Sequence, residues 1–507
     1  MILTIDLGTG GPKVAIFDSS ANLVDHEFAT TETQHFPDGG AEQDPNEWWR
    51  KICECSKKLF ARHPDLAEKV SIISTTAQWS GTVCVDAQGQ TLHPAIIWMD
   101  SRGADAIQKR MRGVINFQGY GISKVIGWLY KTNGAPGQAG KDPTAHIAFI
   151  REKKGDLYAK THKFLEPVDY LVSRLSGKML ASRHTICLHW VYNHRKKKYD
   201  DTLLKWAGID REKLPDIVEP NAVVGECISA AAADLGLKCQ PKVNIGSADI
   251  MSAAVGSGAV TPGLPHVYVG TSGWLVCHTT SRVIDVDHQV VSLPSAIPGL
   301  ELLTNEQECA GNALKFLRDR VFSWKENNFF DWLNREAAKI PAGSDGLVFL
   351  PWLVGERSPV EDHHLRGAWI NLKIGHSQAH VARAVLEGVC LNLNWLKRIV
   401  EKDVKMKFDR IHFIGGGAQS ELWCQIMASV FGIKVLQIDN PVLANSQGCA
   451  FLGALAMNWI TINDIPAAVK IKKEFHPEAA DCVVYDQQFR HYLAMHKALK
   501  PIFHRMN

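Results

Sequence analysis

No stretch of this chain reaches 18 consecutive apolar residues, so no segment is expected to cross a bilayer as a helix. The signature Gly-x-x-x-x-Gly-Lys-Ser/Thr is missing as well, which excludes the strand-to-helix P-loop. Cys-x-x-Cys pairs are absent: Cys53-Glu54-Cys55 has the wrong spacing for zinc or dithiol chemistry, and no second pair follows it. An excess of one charge is lacking too. With 56 Lys+Arg against 53 Asp+Glu, the net charge of +3 gives no nucleic-acid footprint. Arg195-Lys196-Lys197-Lys198 is the compact basic run, and with Asp200-Asp201 directly after it the run reads as a solvated loop. The N-terminus enters a strand at once, without a signal peptide, and no low-complexity segment appears; a cytoplasmic location is expected.

Twelve cysteines in 507 residues are not a disulfide framework. Most fall inside apolar patterns, Cys84, Cys187, Cys390 and Cys449 among them, and read as buried thiols. His363-His364 are neighbours on a loop, and solvated histidines suit that better than a metal site. A hydrophobic content of 46% and a charged content of 21% describe an ordinary globular enzyme, too long for one core, so two domains of roughly 200 to 260 residues are expected.

What the chain does have is a recurring glycine turn. The apolar run 1–5 leads into Asp6-Leu7-Gly8-Thr9-Gly10-Gly11-Pro12-Lys13, and 14–17 read as a second strand. Residues without a Cβ let backbone N–H groups approach a phosphate, with Thr9 as a hydroxyl donor and Lys13 as a cation. Asp6, at the strand end, suits a hydrated Mg²⁺, and its plainer role is to steady the turn. The unit returns as His266-Val267-Tyr268-Val269, the turn Gly270-Thr271-Ser272-Gly273, and Trp274-Leu275-Val276. Two such hairpins imply an internally duplicated architecture with phosphates clamped between the halves. A third turn follows the strand 411–414: Gly415-Gly416-Gly417-Ala418 runs into a helical pattern, a suitable rest for a nucleotide ring. Tight packing explains each glycine separately; their order carries the nucleotide reading.

Strands are expected near 23–28, 70–74, 82–85 and 95–98 as one continuing mixed sheet, with a helix near 45–62 capped by Asp44 that buries Trp48, Ile52, Cys55 and Leu59. Residues 131–141 read as a long surface loop. Small residues at 256–259 and the turn Thr261-Pro262-Gly263 set a domain boundary near 260, giving domains 1–259 and 260–507; Gly256 and Gly258 serve a hinge or close packing. The second half repeats the plan, with helices near 309–320, 377–399, 420–431 and 445–457. Asp249, after the strand-like 244–248 and before a small-residue helix, is either the helix N-cap or an oriented general base.

The three loops, Trp98-Met99-Asp100-Ser101-Arg102, Leu165-Glu166-Pro167-Val168-Asp169-Tyr170-Leu171, Gly246-Ser247-Ala248-Asp249 and the stretch Gly367-Ala368-Trp369-Ile370-Asn371-Leu372 to Glu387 together resemble the FGGY carbohydrate kinase family, within the actin-like ATPase superfamily, and most of all its xylulokinase branch. The resemblance spans nearly the whole chain. It implies an α/β fold of two actin-like, ribonuclease H-like domains with a nucleotide and sugar cleft between them. ATP and Mg²⁺ are the implied cofactors, with a sugar or polyol as acceptor, and no nucleic acid or membrane partner; a homodimer is the commonest default. It makes Asp249 the catalytic base and Asp6 the water-mediated Mg²⁺ residue. Thr9, Gly10, Gly11, Lys13, Gly270 and Thr271 then hold phosphates, Gly311 lines the ribose, and Gly416, Gly417 and Ala418 face the adenosine. Gln78, Trp79, Ser80, Asp100 and Ile250 fall at acceptor-contact positions.

The chain departs from the family pattern at several of these. Gly11-Pro12 replace serine, Asn371 replaces glycine, Trp79-Ser80 stand where xylulokinases carry Met-His, and Ile250 replaces Asn. A polyol, pentulose or hexulose acceptor fits, D-xylulose first; Trp79 is either a sugar-stacking face or core, and Asp100 with Arg102 either orients the acceptor or forms a structural ion pair. A catalytically silent binding protein and a chaperone-like or filament-forming ATPase are the other readings.

Overall fold

Ile2, Leu3, Ile5 and Leu7 are all fully buried, so both faces of the first strand are covered, as in a sheet flanked by helices on either side. This strand, β1 (Ile2–Gly8), turns through Thr9-Gly10 into the antiparallel β2 (Gly11–Phe17), setting Gly8 opposite Gly11 and Asp6 opposite Lys13. Gly11 has φ +132°, and a Cβ there would sit 2.0 Å from the Ala29 carbonyl oxygen, so the turn demands glycine. β3 (Leu23–Phe28) extends the meander. Helix α1 (Pro45–Arg62) starts where the Asp44 carboxylate accepts from the Asn46 N–H, and it buries Trp48, Ile52, Cys55 and Leu59 on one face.

β4 (Ile72–Ala77) lies parallel to β1 on its other side. With β5 (Val223–Glu226), β6 (Lys242–Asn244) and β7 (Ser247–Ala248) it completes a mixed sheet in the order β5-β6-β4-β1-β2-β3, with β7 also paired to β4. α4 (Pro167–Ser176) and α5 (Asp249–Gly256) pack on this sheet, while α2 (Ile122–Thr132) and α3 (Pro143–Lys153) lie against other helices and short ladders. This computed structural model describes residues 1–117 and 119–507.

The second sheet repeats the first plan. β8 (Pro265–Val269) and β9 (Gly273–Thr279) form the hairpin, and β13 (Arg410–Ile414) lies parallel to β8 as β4 does to β1. With β10 (Ile284–Asp285), β11 (Val290–Pro294), β12 (Glu301–Thr304), β14 (Lys434–Ile438) and β15 (Ile471–Phe475) the order is β10-β11-β12-β9-β8-β13-β14-β15. α6 (Gly311–Phe316), α7 (Gln378–Asp403), α8 (Glu421–Phe431) and α9 (Ala444–Ala456) follow. The chain forms two compact units: Met1–Gly256 with Leu293–Leu300 and Asn445–Ala468, and Ser257–Ser292 with Glu301–Ala444 and Val469–Asn507. Each is built on a mixed sheet flanked by helices, the expected α/β class.

Three expectations need correction. Val83–Val85 pairs with Lys163–Leu165, and Ala95–Ile96 with Ala41–Gln43, so these strands form small separate ladders outside the main sheet. The chain leaves β4 through Ser80, which has φ +64°, and Gly81, whose N–H is held by Glu166. Residues 133–141 are only partly a surface loop: Asn133, Pro136 and Gly140 are buried. The helix expected over 309–320 is α-helical only over Gly311–Phe316 and continues as a wider π turn over Leu317–Val321.

Candidate active site

Asp6 is 1% exposed, and its Oδ2 accepts from Lys13 Nζ at 3.2 Å. Its Oδ1 is buried without a hydrogen-bond partner, which leaves acceptor capacity on this carboxylate. Among the described residues no three His, Cys, Asp or Glu side chains gather around one ion position. That donor set fits Mg²⁺, which is usually held by one or two carboxylates, water and substrate phosphates.

The hairpin tip is braced from within. Thr9 Oγ1 donates to Gln78 Oε1 at 3.0 Å and accepts from Trp98 Nε1 at 3.0 Å, while the Thr9 carbonyl accepts from Gln43 Nε2 at 2.8 Å. Gln78 Nε2 donates to Gln43 Oε1 at 2.7 Å, which also accepts from Trp48. Thr9 and Gln78, expected at phosphate and sugar, thus direct their side-chain polar atoms to each other and to Gln43 and Trp98. Gly10 is exposed, with open space where a Cβ would lie, while the half-buried Lys13 turns its Nζ to the buried Asp6 carboxylate.

Residues 78–81 are tethered one by one to separate elements. Gln78 is tied to the hairpin as described. Trp79 Nε1 donates to the Thr185 carbonyl at 2.8 Å, Ser80 Oγ to the Lys141 carbonyl at 2.9 Å, and the Gly81 N–H to Glu166 Oε2 at 3.0 Å. Trp79 and Ser80 remain partly exposed, so the indole is not fully core. Glu166, at the start of α4, is wholly buried; desolvation first, then the Asp169 carboxylate, pushes its carboxyl well above the usual range. Its Oε1 lies 3.8 Å from His189 Nδ1, a buried imidazole whose protonation burial pushes down to about 3.

Asp249 begins α5 and is partly exposed; its Oδ1 accepts from the Ile250 N–H at 2.8 Å. The registers set Ser247 opposite Thr76 and Asp6 opposite Thr76 in turn, so both carboxylates stand near the carboxyl ends of the parallel strands β1, β4 and β7. Two strand spacings, about 10 Å, separate the strands that carry them. Gly246, with φ +70°, lies three residues before Asp249; a Cβ there would meet Thr75 Oγ1 at 2.4 Å, and its carbonyl lies 3.2 Å from His184 Nε2. Ile250 is 8% exposed, so the position where the family carries Asn is mostly covered. Of the two roles open to Asp100 and Arg102, the contacts are those of a structural ion pair: Asp100 Oδ2 accepts from the Ala41 N–H and from Arg102, which also pairs with Glu42, and the three side chains are nearly covered.

In the second unit the Gly270-Thr271 turn folds onto α6. The Gly311 N–H donates to the Gly270 carbonyl at 2.8 Å and the Asn312 N–H to the Thr271 carbonyl at 3.1 Å. A Cβ on Gly311 would lie 2.3 Å from the Gly270 oxygen, so that glycine is required for hairpin contact. At the end of β13, Gly415 has φ +87° and packs under Val269; Gly416 is exposed with open space above it, whereas Gly417 and Ala418 are buried. The nucleotide positions read from sequence thus divide into an open Gly416 and a supporting layer beneath.

Sequence reasoning missed several contributors. Glu166 lies within the motif 165–171 without a role assigned to it, and Gln43 carries no local signature beyond being polar in apolar surroundings. Gly448 on α9 is another: a Cβ there would come 1.9 Å from the Ser252 carbonyl of α5, so α9 seats the helix that begins with Asp249. Glu356 accepts from the N–H groups of Glu308 and Arg357, both at 2.9 Å, and from Asn392; burial pushes its carboxyl up to about 8. Arg357 pairs with Glu306 and Glu308, and Gln307 between them exchanges two backbone bonds with Gly273 of the second hairpin. An ionic pair set in an apolar run after 347–352 was the available signal. Asn371 has φ +68°, which explains why Asn serves where the family has glycine.

Family models for the N-terminal and C-terminal domains of the FGGY family of carbohydrate kinases match residues 1–256 and 266–457. A xylulose kinase of Staphylococcus epidermidis is 26% identical over 512 residues, covering 99% of this chain and 97% of that protein. Among solved structures, gluconate kinase from Lactobacillus acidophilus superposes with a TM-score of 0.88 at 23% identity, over 100% of this chain and 99% of the other. Plasmodium falciparum glycerol kinase with ADP gives 0.83 at 17% identity, over 97% of each.

Proposed function

Because this chain belongs to the FGGY family of carbohydrate kinases, and is therefore a sugar phosphotransferase, we propose that it transfers the γ-phosphoryl group of ATP to a terminal hydroxyl of a ketose or polyol, a pentulose such as D-xylulose first. The observation that carries this reading is the pair of carboxylates, Asp6 on β1 and Asp249 directly after β7, at the same end of parallel strands that flank β4, where α/β proteins bind their ligands.

Asp249 accepts the proton of the acceptor hydroxyl as its oxygen attacks phosphorus, general-base assistance typically worth about 10²–10⁴ in rate. Asp6 would hold, through water, a Mg²⁺ that would supply charge neutralisation for the phosphates. Gly10, Gly11 and Lys13 serve the phosphates from the first hairpin, and Gly270 and Thr271 from the second. Gly416 faces the adenosine, with Gly417, Ala418 and Gly311 as its support. The tethered Trp79-Ser80 turn reads the acceptor: a partly exposed indole offers an apolar face to sugar C–H groups. Asp100 acts through structure, by fixing Ala41 and Arg102.

A coupled ADP-release screen over ketoses, aldoses, alditols and aldonates tests the proposal. Turnover with a pentulose supports it; an aldonate preference moves the substrate class toward the gluconate kinases; no release with any acceptor leaves a silent sugar- or nucleotide-binding protein.

A further inference from the structure

The basic run Arg195-Lys196-Lys197-Lys198 is absorbed by no step above, and in the fold it adjoins a second unused feature. α2 buries Trp128 and Thr132 inward, with Trp128 Nε1 donating to the Trp190 carbonyl, yet its outer side carries Ile122, Ile126 and Tyr130, all exposed. A helix apolar on every side is ordinarily covered on every side. The turn before it adds Val114 at 102% exposure, Ile115 and Phe117, and the Ile122 N–H donates to the Ile115 carbonyl, so turn and helix form one apolar ridge. Six large apolar side chains on one ridge exceed the scattered exposed residues of an ordinary surface.

The basic run ends that ridge. It forms the turn between Tyr192–Asn193 and Lys198–Tyr199; Arg195 Nε donates to the Tyr130 carbonyl at 3.0 Å, and its guanidinium lies 4.2 Å from the Tyr130 ring centroid. All four basic residues are exposed, and none enters an ion pair among the described residues. From 106 to 141 there is no Asp or Glu, while Lys109, Arg110, Arg112, Lys124, Lys131 and Lys141 are present. The charged groups facing this region from neighbouring elements are Glu152, paired with Arg110, and Asp200, paired with Lys131; Asp201 lies in the first turn of the helix Asp201–Ala207.

We propose that this ridge and its basic end dock the first unit peripherally on an anionic lipid surface. A projecting apolar turn and helix stripe enter the interface between headgroups and acyl chains, while the cations stay at headgroup level and gain from negative lipid. A second copy of the chain suits the face less well, because an isologous contact brings the basic run against its own copy, and Asp201 offsets only part of that repulsion. The contact is a surface one, consistent with the absence, among the described residues, of any helix long and apolar enough to cross a membrane.

Co-sedimentation of the full chain with vesicles tests this. Phosphatidylcholine vesicles with about 30% phosphatidylglycerol should retain the protein, and phosphatidylcholine alone should not. Raising salt to about 0.5 M should release it. Ile126→Glu, and separately Lys196→Glu with Lys197→Glu, should each weaken retention at least about tenfold with the far-ultraviolet spectrum and melting temperature unchanged. Absence of binding to the anionic vesicles, or equal binding by both variants, overturns the proposal. So does a dimer in sedimentation velocity that Ile126→Glu dissolves while vesicles retain nothing, which assigns the face to a second copy.

Discussion

Asp249 is the proposed base, and its exchange tests the proposed transfer most directly. Exchanging it for Asn keeps its size and its bond to the Ile250 N–H within reach while removing the base. We expect Asp249→Asn to keep ATP affinity within a few-fold and to lose about 10²–10⁴ in turnover, read by ADP release and nucleotide titration. Trp79 and Ser80 matter in a different way. Their side chains are anchored to Thr185 and Lys141 yet partly exposed, so exchanging them changes the face shown to an acceptor and leaves the base in place. Trp79→Met with Ser80→His should shift preference toward D-xylulose, and an unchanged acceptor profile would show that another segment reads the sugar.

Among the elements, α5 and α9 decide how Asp249, the proposed base, is held. Gly448 lets the two helices touch at backbone distance, 1.9 Å being all the room a Cβ would find. Gly448→Ala forces α5 to move or the contact to open, at a cost of about 1–3 kcal/mol by the usual penalty for overpacking. Because Asp249 is the first residue of α5, turnover should fall more than nucleotide affinity does, a 1 Å displacement being worth about 10² in rate. Thermal melts and steady-state kinetics on the same variant separate the two effects. At the start of α3, Asp142 accepts from the N–H groups of Ala145 and Gly137, but burial still pushes its carboxyl up to about 7. The folded chain therefore holds that proton more tightly than the unfolded one does, and this contribution to stability is lost as pH rises from about 4 to about 7. Asp142→Asn removes the loss while keeping an oxygen for the cap, so its stability relative to the native chain should improve between pH 5 and pH 8, measured by urea unfolding at each pH.

At the scale of the whole molecule, the chain path is the deciding feature. Unit one is completed by Asn445–Ala468, which arrives almost 200 residues after Gly256. In that segment Gly453 packs on Ile2, Ile72 and Ser74, directly against β1 and β4. A fragment ending at residue 259 leaves that apolar surface of the sheet uncovered. We expect residues 1–259 expressed alone to bind a hydrophobic dye and to lack a cooperative melt, and adding 445–468 through a linker to restore one. A sharp unfolding transition in the short fragment would show that the late helix is dispensable.

The hairpins, the capped α1, the buried thiols and the α/β class were legible because each rests on local chemistry: glycine at a turn, an acidic cap, an apolar face at helical spacing. Asp6 and Asp249 could be picked out as candidates because carboxylates stood at strand ends, with the family pattern choosing between base and cap. What each side chain touches was a matter for tertiary structure alone. Thr9 and Gln78 meet across 69 positions, Glu166 holds Gly81 across 85, and α9 seats α5 from the far end of the chain. Such contacts leave no period in the sequence, since close packing of distant backbones needs only a small residue at the right place, and a glycine reads the same whether it frees a turn or admits a helix.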